Sequence, residues 1–188
     1  MLRVILSLSV FCSIVLTAFS SFSADDKSLL DGAKITIGLP LYVAHTDSRA
    51  NNEKWNDGVL QNAGIFGDIS WPIHQINSYT DVRAGFTAGI FDNSIFRTSV
   101  FAGGMAEIDT QPLDKISFKA GGYFGAITGY ESAVLQPAIA PYLGVAYQMN
   151  NKTEIGLREL WLPAKTLSGS NIAGADALVT TVTIGYRF

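Results

Sequence analysis

The residues from Ala177 to Phe188 alternate without interruption between two kinds of side chain. Leu178, Thr180, Val182, Ile184, Tyr186 and Phe188 share one parity, and Ala177, Val179, Thr181, Thr183, Gly185 and Arg187 the other. A period of two is the signature of a strand, which sends successive side chains to opposite faces. One face here is bulky and apolar, the other small or polar. Any fold for this chain must give such strands two different solvents.

The pattern recurs along the chain. Segments with it run from Ala33 to His45, Val59 to Trp71, Asp81 to about Asn93, Ile95 to Ile108, Lys115 to Thr128, Pro137 to Met149, Thr153 to Pro163 and Ala177 to Phe188. Asp109 to Leu113, with Pro112, reads as a turn, as does the stretch from Pro72 to Thr80; Asn150-Asn151 is a tight-turn signal. The longer connections, Thr46 to Gly58 and Lys165 to Asp176, fall on the opposite end. Eight strands with alternating short and long connections predict an all-β, antiparallel up-and-down transmembrane barrel. The closing strand resembles that of bacterial outer-membrane barrels, in which the terminal Phe serves assembly. Eight strands leave too little width for an open pore, so a general porin is not expected. Trp71, Tyr147, Trp161 and Tyr186 suit aromatic girdles. Arg83, Arg97, Glu107, Lys119, Glu154 and Arg158 fall on the interior parity, where they would form a charge network.

The beginning of the chain agrees with this location. Arg3 precedes an apolar run from Val4 to Phe19, followed by small residues with candidate cleavage after Ser20 or Ser23. This is the layout of a secretory signal peptide. Residues 1–23 are therefore expected to be a leader, and 24–188 a single barrel domain in the outer membrane. Cys12, the only cysteine, lies in the leader, so the mature chain is expected to have no disulfide, thiolate chemistry or cysteine-bound metal. Removing Arg3 with the leader shifts the formal charge from −3 to −4. With no basic cluster present, nucleic acid is not an expected partner.

Proline placement is the unusual feature. Pro40 falls within the first strand, Pro137 and Pro141 within the sixth, and Pro163 at the outer end of the seventh. Proline cannot donate to a ladder and normally sits at sheet edges or bulges, yet a closed barrel has no edge. The sixth and seventh strands are neighbours. Their prolines predict a lateral opening through which a lipid tail could enter, although each proline could equally mark a bulge or a strand start.

These same residues carry a resemblance. Leu39-Pro40-Leu41-Tyr42-Val43-Ala44-His45 resembles the first strand of the PagP family of lipid A palmitoyltransferases, with its Pro-x-x-x-x-His pattern. Ile90-Phe91-Asp92-Asn93-Ser94, followed by Phe101-Ala102-Gly103-Gly104, is similar to that family's Phe-x-Asp-Ser segment and next strand. Pro137 to Pro141 and Trp161-Leu162-Pro163 are similar to its proline-bearing sixth and seventh strands. The resemblance implies acyl transfer from a phospholipid to a hydroxyl of lipid A or lipopolysaccharide by a monomeric barrel, without metal or organic cofactor. It implies His45, Asn93 and Ser94 as catalytic positions and Pro40, Pro141 and Pro163 as lipid-access positions, with Met105 near the floor of the acyl pocket. Asn93 stands where the family has an aspartate, and an amide cannot ionise to orient an imidazolium. The segment from Asp25 to Gly32 is too short for the family's amphipathic helix. The competing expectations are a non-enzymatic barrel like the OmpX or OmpA type, structural or adhesive, and a family member that binds lipid without turnover.

Overall fold

The computed structural model describes residues 27–45, 58–59, 63–93, 97–129, 135–163 and 176–188. The leader and Ser94 lie outside the described residues. One helical turn, α1 (Lys27–Leu30), precedes nine strands: β1 (Lys34–His45), β2 (Gly58–Val59), β3 (Gly64–Asn77), β4 (Thr80–Asp92), β5 (Thr98–Leu113), β6 (Ile116–Ile127), β7 (Gln136–Gln148), β8 (Thr153–Leu162) and β9 (Ala177–Arg187). Neighbours in sequence pair antiparallel, and β9 returns to pair with β1 from Lys34↔Arg187 to His45↔Ala177. The sheet is thereby closed. β2 pairs with the far part of β1 and β3 with its near part. Together they form the second stave, so nine strands make an eight-stranded barrel.

Alternation is preserved, and it separates two environments. Phe86 and Leu143, each 68% exposed, lead an outward belt that includes Val100, Phe118, Phe124, Ile139, Val145, Leu157 and Ile184. So much unpaired apolar surface is untenable in water and fits a bilayer, where only a closed barrel satisfies strand hydrogen bonds. Tyr147, Trp161 and Tyr186 also face outward. Both described termini and the short turns between paired strands share one end, the periplasmic end in this architecture.

Two expected turns are strands instead. Pro72 lies within β3, where the β3–β4 register shifts between Pro72 and His74. Pro112 lies within β5, absorbed by a shift between Thr110 and Leu113. A bulge lets the ladder step past a residue that has no N–H, so both strands continue beyond their prolines.

The periplasmic half of the interior is filled by charge. Lys34 Nζ lies 2.7 Å from Glu107 Oε1 and 2.9 Å from Asp109 Oδ2. Lys119 Nζ bridges Asp109 Oδ2 at 2.9 Å and Glu154 Oε1 at 3.0 Å, and Arg187 Nη2 reaches Asp109 Oδ2 at 3.0 Å. Arg83 donates to the carbonyls of Gly32 and Ser70 at 2.8 and 3.0 Å. Expected members Glu107, Lys119, Glu154, Arg158 and Arg83 are inside. Arg97 is not: it is exposed between β4 and β5, beyond the interior. Lys34, Asp68, Asp109 and Arg187 complete the set. Helix α1 is fastened to the wall by the Trp71 indole, which donates to the Leu29 carbonyl at 2.7 Å. Gly32 follows at φ 68°, a left-handed position suited to a residue without Cβ at a helix end.

Candidate functional site

Toward the outer end the inward side chains become apolar. Along β8 the inward series is Glu154, Arg158, Leu160 and Leu162; along β5, read from the periplasm, it is Asp109, Glu107, Met105 and Phe101. The result is a cavity lined by Pro40, Val43, Phe66, Thr87, Phe91, Phe101, Tyr123, Ile127, Ala138, Leu160 and Val179, among others. It offers about 70 Å³ to the centres of water-sized molecules, several times the ~10–15 Å³ that one water needs. With this lining, an apolar occupant is favoured over water.

Tyr123 lines the inner part of this space and belongs to a rigid layer. Its ring lies 5.0 Å from that of Tyr142, and the Arg158 guanidinium carbon is 4.3 Å from the Tyr142 centroid. Tyr123 Oη donates to Asp68 Oδ2 at 2.9 Å, Arg158 Nη1 donates to the same oxygen at 2.8 Å and to Tyr123 Oη, and Tyr142 Oη donates to Glu107 Oε2 at 2.9 Å. Met105 is buried in the same cluster, but it is not among the residues that line the cavity, whereas Tyr123 is.

The wall beside the cavity is incompletely stitched. β6 pairs with β7 from Ile127↔Gln136 to Ile116↔Tyr147. β7 pairs with β8 only from Tyr142↔Leu160 to Gln148↔Glu154, so among the described residues the stretch from Gln136 to Pro141 has a strand partner on one side alone. Because the β6–β7 ladder is unbroken, Pro137 and Pro141 must turn their nitrogens toward β8, where each removes a donor. Pro163 directly follows the end of β8. On the other flank, Pro40 lines the cavity, and the β1–β9 register shifts between Pro40 and Tyr42 with Leu41 as the extra residue. That shift reverses the parity of everything beyond it. Leu39, Leu41 and Tyr42 are all exposed, whereas Val43 is buried, and His45 stands opposite the inward-facing Ala177.

Asn93 is placed differently in chemical terms. It is 1% exposed, and its Nδ2 donates to Ser99 Oγ at 3.0 Å and to the Gly129 carbonyl at 2.9 Å. Its Oδ1 accepts from the Arg97 backbone N at 2.9 Å. Both amide protons are thus committed to holding the β4–β5 connection against the end of β6. The stave formed by β2 and β3 separates β1 from β4, so His45 and Asn93 belong to strands roughly 10 Å apart at ordinary strand spacing. The structure therefore brings His45 to the interior face and Asn93 to the cavity rim. Sequence reasoning missed Phe66, Thr87, Tyr123, Ile127, Ala138 and Leu160. Their signal was available: in the outer halves of the strands the interior parity turns apolar, so both faces read as greasy.

No family model matches the chain, and no curated protein matches it by sequence. Solved structures do. The chain is similar to Neisserial surface protein A (9% identity, TM-score 0.56, covering 84% of this chain and 98% of that one). It is similar to the outer membrane enzyme PagL (11%, 0.52, 82% and 99%) and to Ail, the attachment invasion locus protein of Yersinia pestis (13%, 0.50, 84% and 99%). At such identities the likeness is one of fold, and one fold hosts several functions. The chain is an eight-stranded antiparallel β-barrel of the bacterial outer-membrane type.

Proposed function

We propose that this barrel takes an acyl chain of an outer-leaflet phospholipid into its outer-half cavity and transfers it to a hydroxyl of lipid A. The observation that carries the reading is an apolar cavity confined to the outer half, beside the stretch of β7 that lacks β8 as a partner. A slot of this kind suits a hydrocarbon tail, and an unpaired wall flanked by Pro141 and Pro163 gives the tail a route from the membrane.

In the transfer the acceptor hydroxyl attacks the phospholipid ester carbonyl. His45 takes the hydroxyl proton and returns it to the departing glycerol oxygen, leaving a lysophospholipid. The resemblance to the palmitoyltransferase family assigns Ser94 a place in the same chemistry. Neither step requires a metal or organic cofactor, and one chain suffices.

Mass spectrometry of lipid A from cells expressing the chain tests the proposal. An added acyl mass that disappears in His45→Ala and Ser94→Ala variants with correctly inserted barrels supports it. Unchanged lipid A from a properly inserted wild-type barrel refutes transfer. The commitment of Asn93 to the β4–β5 connection favours a second reading, in which the barrel holds a lipid without turnover. Co-purified phospholipid with no acylated product would then be found. Absence of both leaves the structural or adhesive barrel.

A further inference from the structure

Below the Asp92 and Asn93 rim the cavity is lined mainly by apolar side chains, with Thr87 among them near its inner end. Thr87 lines it and is 5% exposed, yet among the described residues its Oγ1 has no hydrogen-bond partner. Directly opposite on β3 stands Asp68, equally buried and on the same interior face. Tyr123 and Arg158 both bind Asp68 Oδ2, and Oδ1 is left without a partner. Facing pairs of this kind hold their Cβ atoms about 4.5–5.5 Å apart, and no hydrogen bond joins these two side chains. One buried donor that lines the greasy slot thus stands beside one buried acceptor, Asp68, whose partner Tyr123 also lines the slot. Orphaned buried polar atoms are costly and call for a partner.

We propose that Thr87 and Asp68 form a hydroxyl-binding subsite, so that the preferred occupant is an acyl chain carrying a hydroxyl at mid-chain. The Thr87 hydroxyl donates to the oxygen of the chain's hydroxyl, which in turn donates to Asp68 Oδ1. Both orphans are satisfied by one group that is itself donor and acceptor. The position along the chain follows from the strand. Thr87 lies five residues before Asp92 at the outer end of β4. At ~3.3 Å per residue and a tilt of ~40°, this is about 13 Å below the rim, roughly ten extended carbons. A hydroxyl next to the carboxyl would stay at the rim and miss the subsite. The inference rests on the reading that an acyl chain fills the cavity.

The test is displacement of a fluorescent polyene fatty acid from the refolded full barrel in short-chain detergent. The competitors are stearic acid and stearic acids hydroxylated at mid-chain or beside the carboxyl. The mid-chain isomer should compete about tenfold better than stearic acid, the scale of one well-made hydrogen-bonded pair. Thr87→Val should erase that advantage, and Thr87→Ser should keep it. A phospholipid bearing the same hydroxylated chain, run in parallel, identifies the source: it outcompetes the free acid if the occupant comes esterified from the membrane and trails it otherwise. Equal competition by plain and mid-chain hydroxylated acids, or an advantage that survives Thr87→Val, overturns the subsite and leaves the acyl cavity standing. If no fatty acid or phospholipid displaces the probe, both readings fall.

Discussion

Pro40 and His45 turn to the same face of β1 although they lie five positions apart, an odd offset. In a regular strand they would face opposite ways. The extra residue Leu41 between Pro40↔Thr181 and Tyr42↔Thr180 restores the match, so the imidazole is directed inward by a bulge and not by its own position. Deleting Leu41 makes the offset even, so it would only remove the bulge and keep His45 inward. Deleting Ala44 instead sets His45 opposite the outward-facing Leu178 and should therefore turn it toward lipid. A folded barrel with transfer reduced at least ~100-fold is expected, the scale of losing a positioned general base. Heat-modifiability on gels verifies folding, and acylated lipid A from expressing cells reports transfer. Activity retained in the deletion variant would separate His45 from the chemistry.

Asn93 should resist conversion to the acid. Asn93→Asp puts a carboxylate oxygen against the Gly129 carbonyl, now 2.9 Å from the amide nitrogen that donates to it. A donor is replaced by a second acceptor, which costs about 1–3 kcal/mol for a buried group. Urea unfolding in micelles should show the loss, and acylation of lipid A should fall with it. A more active enzyme of unchanged stability would instead identify the site as a catalytic carboxylate position.

Gly129 belongs to the same knot. It has φ 88°, and a Cβ there would stand 2.6 Å from Ser99 Oγ. Gly129→Ala should cost about 1–2 kcal/mol from its left-handed backbone alone, with more from the clash. The expected readout is faster proteolysis confined to the outer rim while the barrel core stays resistant.

Buried ion pairs add little net stability but are costly to break. Lys34, Arg158 and Tyr142 converge on Glu107, so Glu107→Ala leaves the buried network one carboxylate short, although Lys34 keeps Asp109 and Arg158 keeps Asp68, and should destabilise the barrel by about 3–5 kcal/mol. Because the pairs are shielded from solvent, added salt should change the difference little. Unfolding at low and high salt checks both statements.

The β7/β8 wall offers a mechanical test. Continuing the register beyond Tyr142↔Leu160 sets Ala140 beside Leu162, both cavity-lining residues. The only natural cysteine, Cys12, falls within the expected leader, which leaves a clean background. Ala140→Cys with Leu162→Cys, bridged by a short bismaleimide, should block acyl-chain uptake in the displacement assay, and the unbridged double variant should bind normally. Uptake through the bridged wall would place the entrance elsewhere.

The strand number, the antiparallel order, the outward greasy belt and most of the interior charges were legible in the sequence, because period-two alternation is local and the bilayer enforces it strand by strand. Pro40, Pro137, Pro141 and Pro163 were legible as anomalies, and Pro72 and Pro112 as turn residues. What they do was not: Pro72 and Pro112 are absorbed by bulges, while Pro141 stands where the β7–β8 ladder stops. A bulge depends on the register of the partner strand, which one segment cannot reveal. The inward turn of His45, the locking of Asn93, and the meeting of Thr87 with Asp68 were decided only when non-neighbouring segments closed into a cylinder. Closure brings side chains from distant positions within a few ångströms and sets which polar atoms find partners.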